Sequence, residues 1–165
     1  MSKLPGRTNN KEDPYMKLAA ALLERADLQR RISELGGRLN NNAKVQDGAK
    51  PFEDPAALIA ELDRNFADLE TLIARINHTN NVAMVDGVSL TDLLAKRDCL
   101  KQRISIMRAF LDNASAPVSR YSLKEIMVFS TVDVKELQKN VDRIAKELRE
   151  VDEKIQGANW TIDLI

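Results

Sequence analysis

RADLQRRIS (Arg25–Ser33) and RDCLKQRIS (Arg97–Ser105) are the two stretches whose reading decides the fold. In each, a leucine and an isoleucine fall one helical turn apart, Leu28 with Ile32 and Leu100 with Ile104. Followed outward, the same rhythm runs through Leu18, Leu22, Leu35 and Leu39 around the first stretch. Around the second it takes in Leu90, Leu93, Met107 and Leu111. Steps that alternate between three and four residues mark helices packed side by side. Two further segments keep the rhythm: Leu58, Leu62, Leu69, Leu72 and Ile76, and then Leu137, Val141, Ile144, Leu148, Val151 and Ile155.

Helix starts agree with this pattern. Asp54 followed by Pro55 reads as an N-cap with proline in the first turn. Asp133 with Glu136 resembles a capping box, and Ser89 with Asp92 is a weaker version. The two halves of the chain also match each other. Arg25 aligns with Arg97, Asp54 with Asp133, Arg64 with Arg143 and Asn80 with Asn159. Leucines match by chance between any two helices. The paired Arg, Asp and Asn positions favour an internal duplication of an αα-hairpin.

The expected fold class is therefore all-α: an antiparallel up-down four-helix bundle of two αα-hairpins. Residues 1–15 read as a polar, disordered N-terminal extension, and residues 16–165 as a single helical-bundle domain. Helices of about 24 residues would be about 36 Å long, with both hairpin loops at one end. The runs AKVQ (Ala43–Gln46) and EIMVF (Glu125–Phe129) look strand-like, so a small β-ribbon or paired loops is expected at that end. The glycine pair in ELGGRL (Glu34–Leu39) suggests an early end or a kink in the first helix, or the close approach of another helix.

Charge excludes several functions. The chain holds 25 basic and 25 acidic residues, interleaved as in KELREVDEKIQ (Lys146–Gln156). This is the pattern of solvated helix faces, without the basic stripe that nucleic acid requires. No apolar run reaches the roughly 18 residues of a membrane span, and LAAALL (Leu18–Leu23) is too short for an export signal. A cytoplasmic location is expected.

Catalytic and metal chemistry find little support. The single histidine, His78, lies at the end of the second helix, and the single cysteine, Cys99, lies in a helical pattern as a small core or boundary residue. The apolar seams carry no Asp or Glu, so neither a metal nor another cofactor is expected inside the bundle. No phosphate-binding glycine loop is present. The unusual polar positions are Arg25 and Arg97 on the seams and Asn80 and Asn159 near helix ends. The arginines either snorkel at the seam edge or pair with a buried carboxylate that fixes helix register. The asparagines are expected as helix C-caps.

Several stretches in order carry a resemblance: NAKVQDG (Asn42–Gly48), EDP (Glu53–Pro55), RINHTN (Arg75–Asn80), RYSLKEI (Arg120–Ile126), STVDVKELQK (Ser130–Lys139) and IQGANW (Ile155–Trp160). Together they resemble the septicolysin-like family of small bacterial proteins, over about Met16 to the last residue. LGGRL (Leu35–Leu39) departs from that pattern. The resemblance implies no catalytic residues, and its name implies a pore-forming lysin.

The leading expectation is a non-enzymatic, self-associating structural or interaction protein whose partner is a second copy of itself. A pore-forming cytolysin is the alternative, the only reading in which a membrane is a partner, and an uncharacterised enzyme comes third. Two surfaces are candidates. Lys44, Lys50, Arg120, Tyr121 and Lys124 would come together as recognition loops at the hairpin end. The last residues alternate Trp160, Ile162 and Leu164 with polar neighbours and finish on Ile165, an extended segment with one apolar face. Such a tail docks either across its own first two helices or in the groove of a neighbouring subunit. The neighbour is favoured, which makes the tail a candidate assembly element.

Overall fold

The computed structural model describes residues 16–116 and 129–165. The extension 1–15 lies outside them. The fold is all-α, of the helical-bundle kind, with helices α1 (Leu18–Asn41), α2 (Pro55–Val82), α3 (Leu90–Ser115) and α4 (Val134–Thr161). Strands β1 (Met84–Val85) and β2 (Val88–Ser89) form one antiparallel ribbon between α2 and α3. The chain divides into two compact units. One runs to Ala83 and takes in Asn159–Ile165, and the other is Met84–Ala158.

In the first unit α1 and α2 form a helical hairpin. Leu18, Ala21, Leu28 and Leu35 of α1 and Leu58, Leu69, Leu72 and Ile76 of α2 are buried, each worth about 1.5–3 kcal/mol for a leucine-sized side chain. Polar entries on the α2 stripe satisfy themselves locally. Asn65 donates to the Glu61 carbonyl at 2.8 Å and Thr79 Oγ1 to the Arg75 carbonyl at 2.9 Å. The far end of the hairpin is tied by Asn42, which is 7% exposed. Its amide donates to the Arg38 carbonyl at 2.9 Å and its Oδ1 accepts from the Glu53 N–H at 2.9 Å. Arg38 pairs with the Glu53 carboxylate beside it. Asp54 then caps α2, accepting from the Ala56 N–H at 3.1 Å.

In the second unit the ribbon turns at Asp86 and Gly87, with φ of 51° and 80°, and pairs Val85 with Val88 and Met84 with Ser89. Positive φ at both central residues is the mirror-image turn that matches strand twist, and Asp-Gly is its preferred sequence. Ser89 ends the ribbon and caps α3, accepting from the Asp92 N–H at 3.0 Å. Asp133 caps α4, accepting from Lys135 and Glu136 N–H groups at 2.9 and 3.2 Å. It repeats the work of Asp54, its match in the first half. Leu90, Leu93, Leu100, Ile104 and Leu111 of α3 are buried, as are Val141, Ile144, Val151 and Ile155 of α4.

Three expectations change. The ribbon forms at Met84–Ser89, not at Ala43–Gln46, which is irregular. Residues 125–128 of the other strand-like run lie outside the described residues. The cause is the Asp-Gly turn, a stronger local signal than the single β-branched Val45 of the Ala43–Gln46 run. Asn80 and Asn159 are not C-caps, because α2 continues to Val82 and α4 to Thr161. The α2 exit through Ala83 is extended, so no left-handed residue is needed there. Finally, α1 passes through Gly36 and Gly37 without a break, held by buried Leu35 before them and Asn42 after them. No helix approaches closely either, since a Cβ at each glycine would meet nothing within 4 Å.

Those two glycines therefore weaken α1 without a packing return. Gly36→Ala with Gly37→Ala should stabilise the chain by about 2 kcal/mol, a rise in Tm of roughly 4–8 °C for a chain of this size, read by thermal melting followed by circular dichroism.

Candidate functional site

The tail closes on its own chain. Leu164 donates its N–H to the Met16 carbonyl at 2.8 Å, and Leu18 donates to the Ile162 carbonyl at 2.9 Å. These flank an antiparallel bridge between Lys17 and Asp163, whose side chains pair at 2.7 Å. Lys17 Nζ also donates to the Thr161 carbonyl at 3.0 Å, and the Ile165 N–H donates to Thr79 Oγ1 at 3.0 Å. Leu164 is 2% exposed. The reason is the start of α1: its N-cap Lys17 offers no side-chain acceptor, and the tail carbonyl takes that place. The arrangement in a neighbour's groove, favoured from the sequence, is replaced by docking in cis. The alternation also begins one step later than expected. Trp160 belongs to α4 and is 68% exposed, Ile162 is half-buried, and Ile165 is 53% exposed.

The other candidate residues scatter. Lys44 and Lys50 are exposed on the connection between α1 and α2, while Arg120, Tyr121 and Lys124 lie outside the described residues. Arg97 pairs with its sequence neighbour Asp98 at 2.8 Å, and Asp98 is largely exposed, so this is not a buried register pair. Arg25 is half-buried, and its Nε is buried without a partner. Asn80 and Asn159 are half-buried within their helices. His78 is exposed near the end of α2. Cys99 is exposed rather than in the core, because it sits on the α3 face opposite the buried stripe.

Two clefts open in the second unit. One, of about 300 Å³, has Leu93 and Val151 in its lining and is rimmed by Lys96, Glu147, Glu150 and Lys154. Lys96 pairs with Glu147 and Lys154 with Asp86, each at 2.8 Å. The Lys96 partner holds the Glu147 carboxyl below its ordinary range, and the Asp86 partner raises the Lys154 ammonium. The other cleft, of about 270 Å³, is lined by Phe110, Asn113, Phe129 and Thr131 among others. Among the described residues no group of three or more His, Cys, Asp or Glu is placed to hold a metal ion, and no helix is long and apolar enough to cross a membrane.

Sequence reasoning missed the aromatic residues. Every buried apolar side chain among the described residues is Leu, Ile, Val or Ala. All four phenylalanines and the tryptophan are exposed: Phe52 at 99%, Phe129 at 73%, Trp160 at 68%, Phe66 at 50% and Phe110 at 44%. The heptad positions could have shown this for Phe66, Phe110 and Trp160, which fall off the buried stripes of their helices, while Phe52 and Phe129 lie in connections.

A protein-family model described as a family of unknown function (DUF6847) matches residues 25–164. The chain belongs to this family. The septicolysin-like resemblance is thereby corrected, and the lytic activity it implied loses its basis. Much of what carried the resemblance is end-of-helix chemistry, such as the Asp54–Pro55 start and the Asp133 cap, which any helical hairpin can share. No curated protein matches the chain. A crystal structure described as a functionally unknown conserved protein from Corynebacterium diphtheriae is similar to this family member at 38% identity. The match covers 92% of this chain and 99% of that one, with a TM-score of 0.82.

The tail clasp is testable through its one buried side chain. Leu164→Ala should cost about 2–3 kcal/mol, seen as a lower urea midpoint, while Trp160→Ala, at an exposed position, should change it by less than about 0.5 kcal/mol.

Proposed function

We propose that the protein is a non-enzymatic helical-bundle protein that works in the cytoplasm by associating with itself. The observation that carries this reading is the outward placement of all five Phe and Trp side chains, while the buried apolar side chains among the described residues are all aliphatic. Aromatic side chains are the ones a core gains most from burying, and they are also enriched in protein interfaces. Among the described residues the core is filled with Leu, Ile, Val and Ala while Phe and Trp stay outside, which places strong contact residues where a partner can cover them.

The charged groups support the non-enzymatic part. Glu53 and Glu147 are pushed down, and Arg38 and Lys154 up, each chiefly by a hydrogen bond to its ion-pair partner. All four are thereby fixed in their charged forms, the opposite of the tuning toward neutrality that a general acid or base needs. The balance of 25 basic and 25 acidic residues favours a protein surface over nucleic acid as partner. The exposed free Cys99 suits a reducing compartment.

Sedimentation velocity over a concentration series tests the reading. The expected result is a mass that rises with concentration from that of the 18.5 kDa chain toward a small multiple of it. A mass that stays at one chain throughout would overturn it.

A further inference from the structure

Helix α3 carries two uncharged stripes on opposite sides. One side is the buried stripe through Leu93, Leu100, Ile104 and Leu111. The other runs through Ala95, Cys99, Gln102, Ile106, Ala109 and Asn113, again in steps of four and three. All six of these residues are exposed, Ile106 at 68%, and none is charged. A solvated helix face is ordinarily the most charged one, so an uncharged stripe opposite the core is the mark of a second contact.

Resting on the self-association reading, we propose that two copies of the chain pair in parallel along this outer stripe of α3, about a two-fold axis parallel to the helix. Cys99, Ile106 and Asn113 then stack on their own equivalents, with Ala95, Gln102 and Ala109 in the intervening layers. β-branched Ile106 and polar Asn113 at such positions suit a two-stranded parallel arrangement, and the alanines let the helices approach. The flanking charges select the direction. Asp98 borders the stripe on one side and Arg103 on the other. Parallel pairing brings Asp98 of each copy to Arg103 of the other, whereas antiparallel pairing turns Asp98 toward Asp112 and Arg103 toward itself. Asp98 is 62% exposed and held only by its neighbour Arg97, so it is accessible to a second copy. The stripe spans about 27 Å of helix. That places the contact at the small end of specific interfaces.

The test uses the full chain and its single cysteine. A short bismaleimide, adding one maleimide to each thiol, should link Cys99 to Cys99 in high yield at concentrations where sedimentation shows a dimer. Ile106→Glu should weaken the dimer at least about tenfold by placing two like charges in one layer, with unchanged helix content. Asp98→Arg and Arg103→Asp should each weaken it, and the double exchange should restore it. A chain that is monomeric at every concentration overturns both this pairing and the self-association reading. A dimer that resists Ile106→Glu and gives no Cys99 link overturns the pairing alone. A dimer broken by Ile106→Glu in which Cys99 links only to a cysteine placed at Ala109 of a Cys99→Ser partner overturns the parallel direction.

Discussion

Aliphatic side chains stepping three and four residues along each helix are the constraint on which everything else depends. A heptad stripe accepts Leu, Ile, Val and Ala in close layers, and among the described residues the buried apolar side chains are only of those types. Polar groups that fall on the stripe must then be satisfied at short range. Asn65 and Thr79 do this by returning a hydrogen bond to the carbonyl one turn earlier. Thr79 has a second use, since its oxygen also accepts from the Ile165 N–H. A single hydroxyl thus links the α2 backbone to the chain's last residues.

Helix ends follow a similar economy. Three of the four helices begin on a side-chain cap, Asp54, Ser89 or Asp133. The fourth, α1, begins on Lys17, which can only donate. Its first N–H is met by the Ile162 carbonyl, while Lys17 itself donates to the Thr161 carbonyl and pairs with Asp163. The tail is therefore the missing cap of α1. Its backbone bonds fix its position, and the burial of Leu164 holds it there. The exposed ion pair adds little on its own.

The four helices, the starts of α2, α3 and α4, and most of the buried stripes were legible in the sequence, because periodicity and capping are local. Leu58, Leu69, Ile76, Val141, Ile144 and Ile155 are buried at the positions their spacing requires. What was not legible depended on competition between signals. Asp86–Gly87 decided the ribbon through backbone handedness, which outweighed the strand-like run at Ala43–Gln46 with its single β-branched Val45. Gly36 and Gly37 looked like a break, yet the burial of Leu35 carried the helix through them. Whether the tail docked in cis or in trans turned on a cap that Lys17 lacks, a feature read from what a residue cannot do. The exposure of Cys99 followed from its register, since Leu100 and not Cys99 occupies the buried stripe.

Two ion pairs of the second unit respond to pH: Lys96–Glu147 joins α3 to α4, and Lys154–Asp86 joins α4 to the ribbon turn. Glu147 titrates below its ordinary value because of Lys96, so its contribution is present above that value and is lost as pH falls through the lowered one. Lys154 titrates above its ordinary value because of Asp86, so its contribution is present below that value and is lost as pH rises through the raised one. Both contributions are complete across neutrality, and both are modest because the side chains remain roughly half exposed. The consequence is positional rather than energetic. With Asp86 held to Lys154 and Ser89 capping α3, the ribbon fixes where α3 begins. Within α3 the three- and four-residue spacing of its apolar side chains then sets which residues face the core. Leu90 and Leu93 are drawn inward, and Ala95, Cys99 and Ile106 are left outside in a continuous uncharged row. The two-sided character of α3 therefore lies in its own residue spacing, and a one-residue shift at Asp86–Gly87 would rotate both rows together about the helix axis by about 100° rather than break up either one.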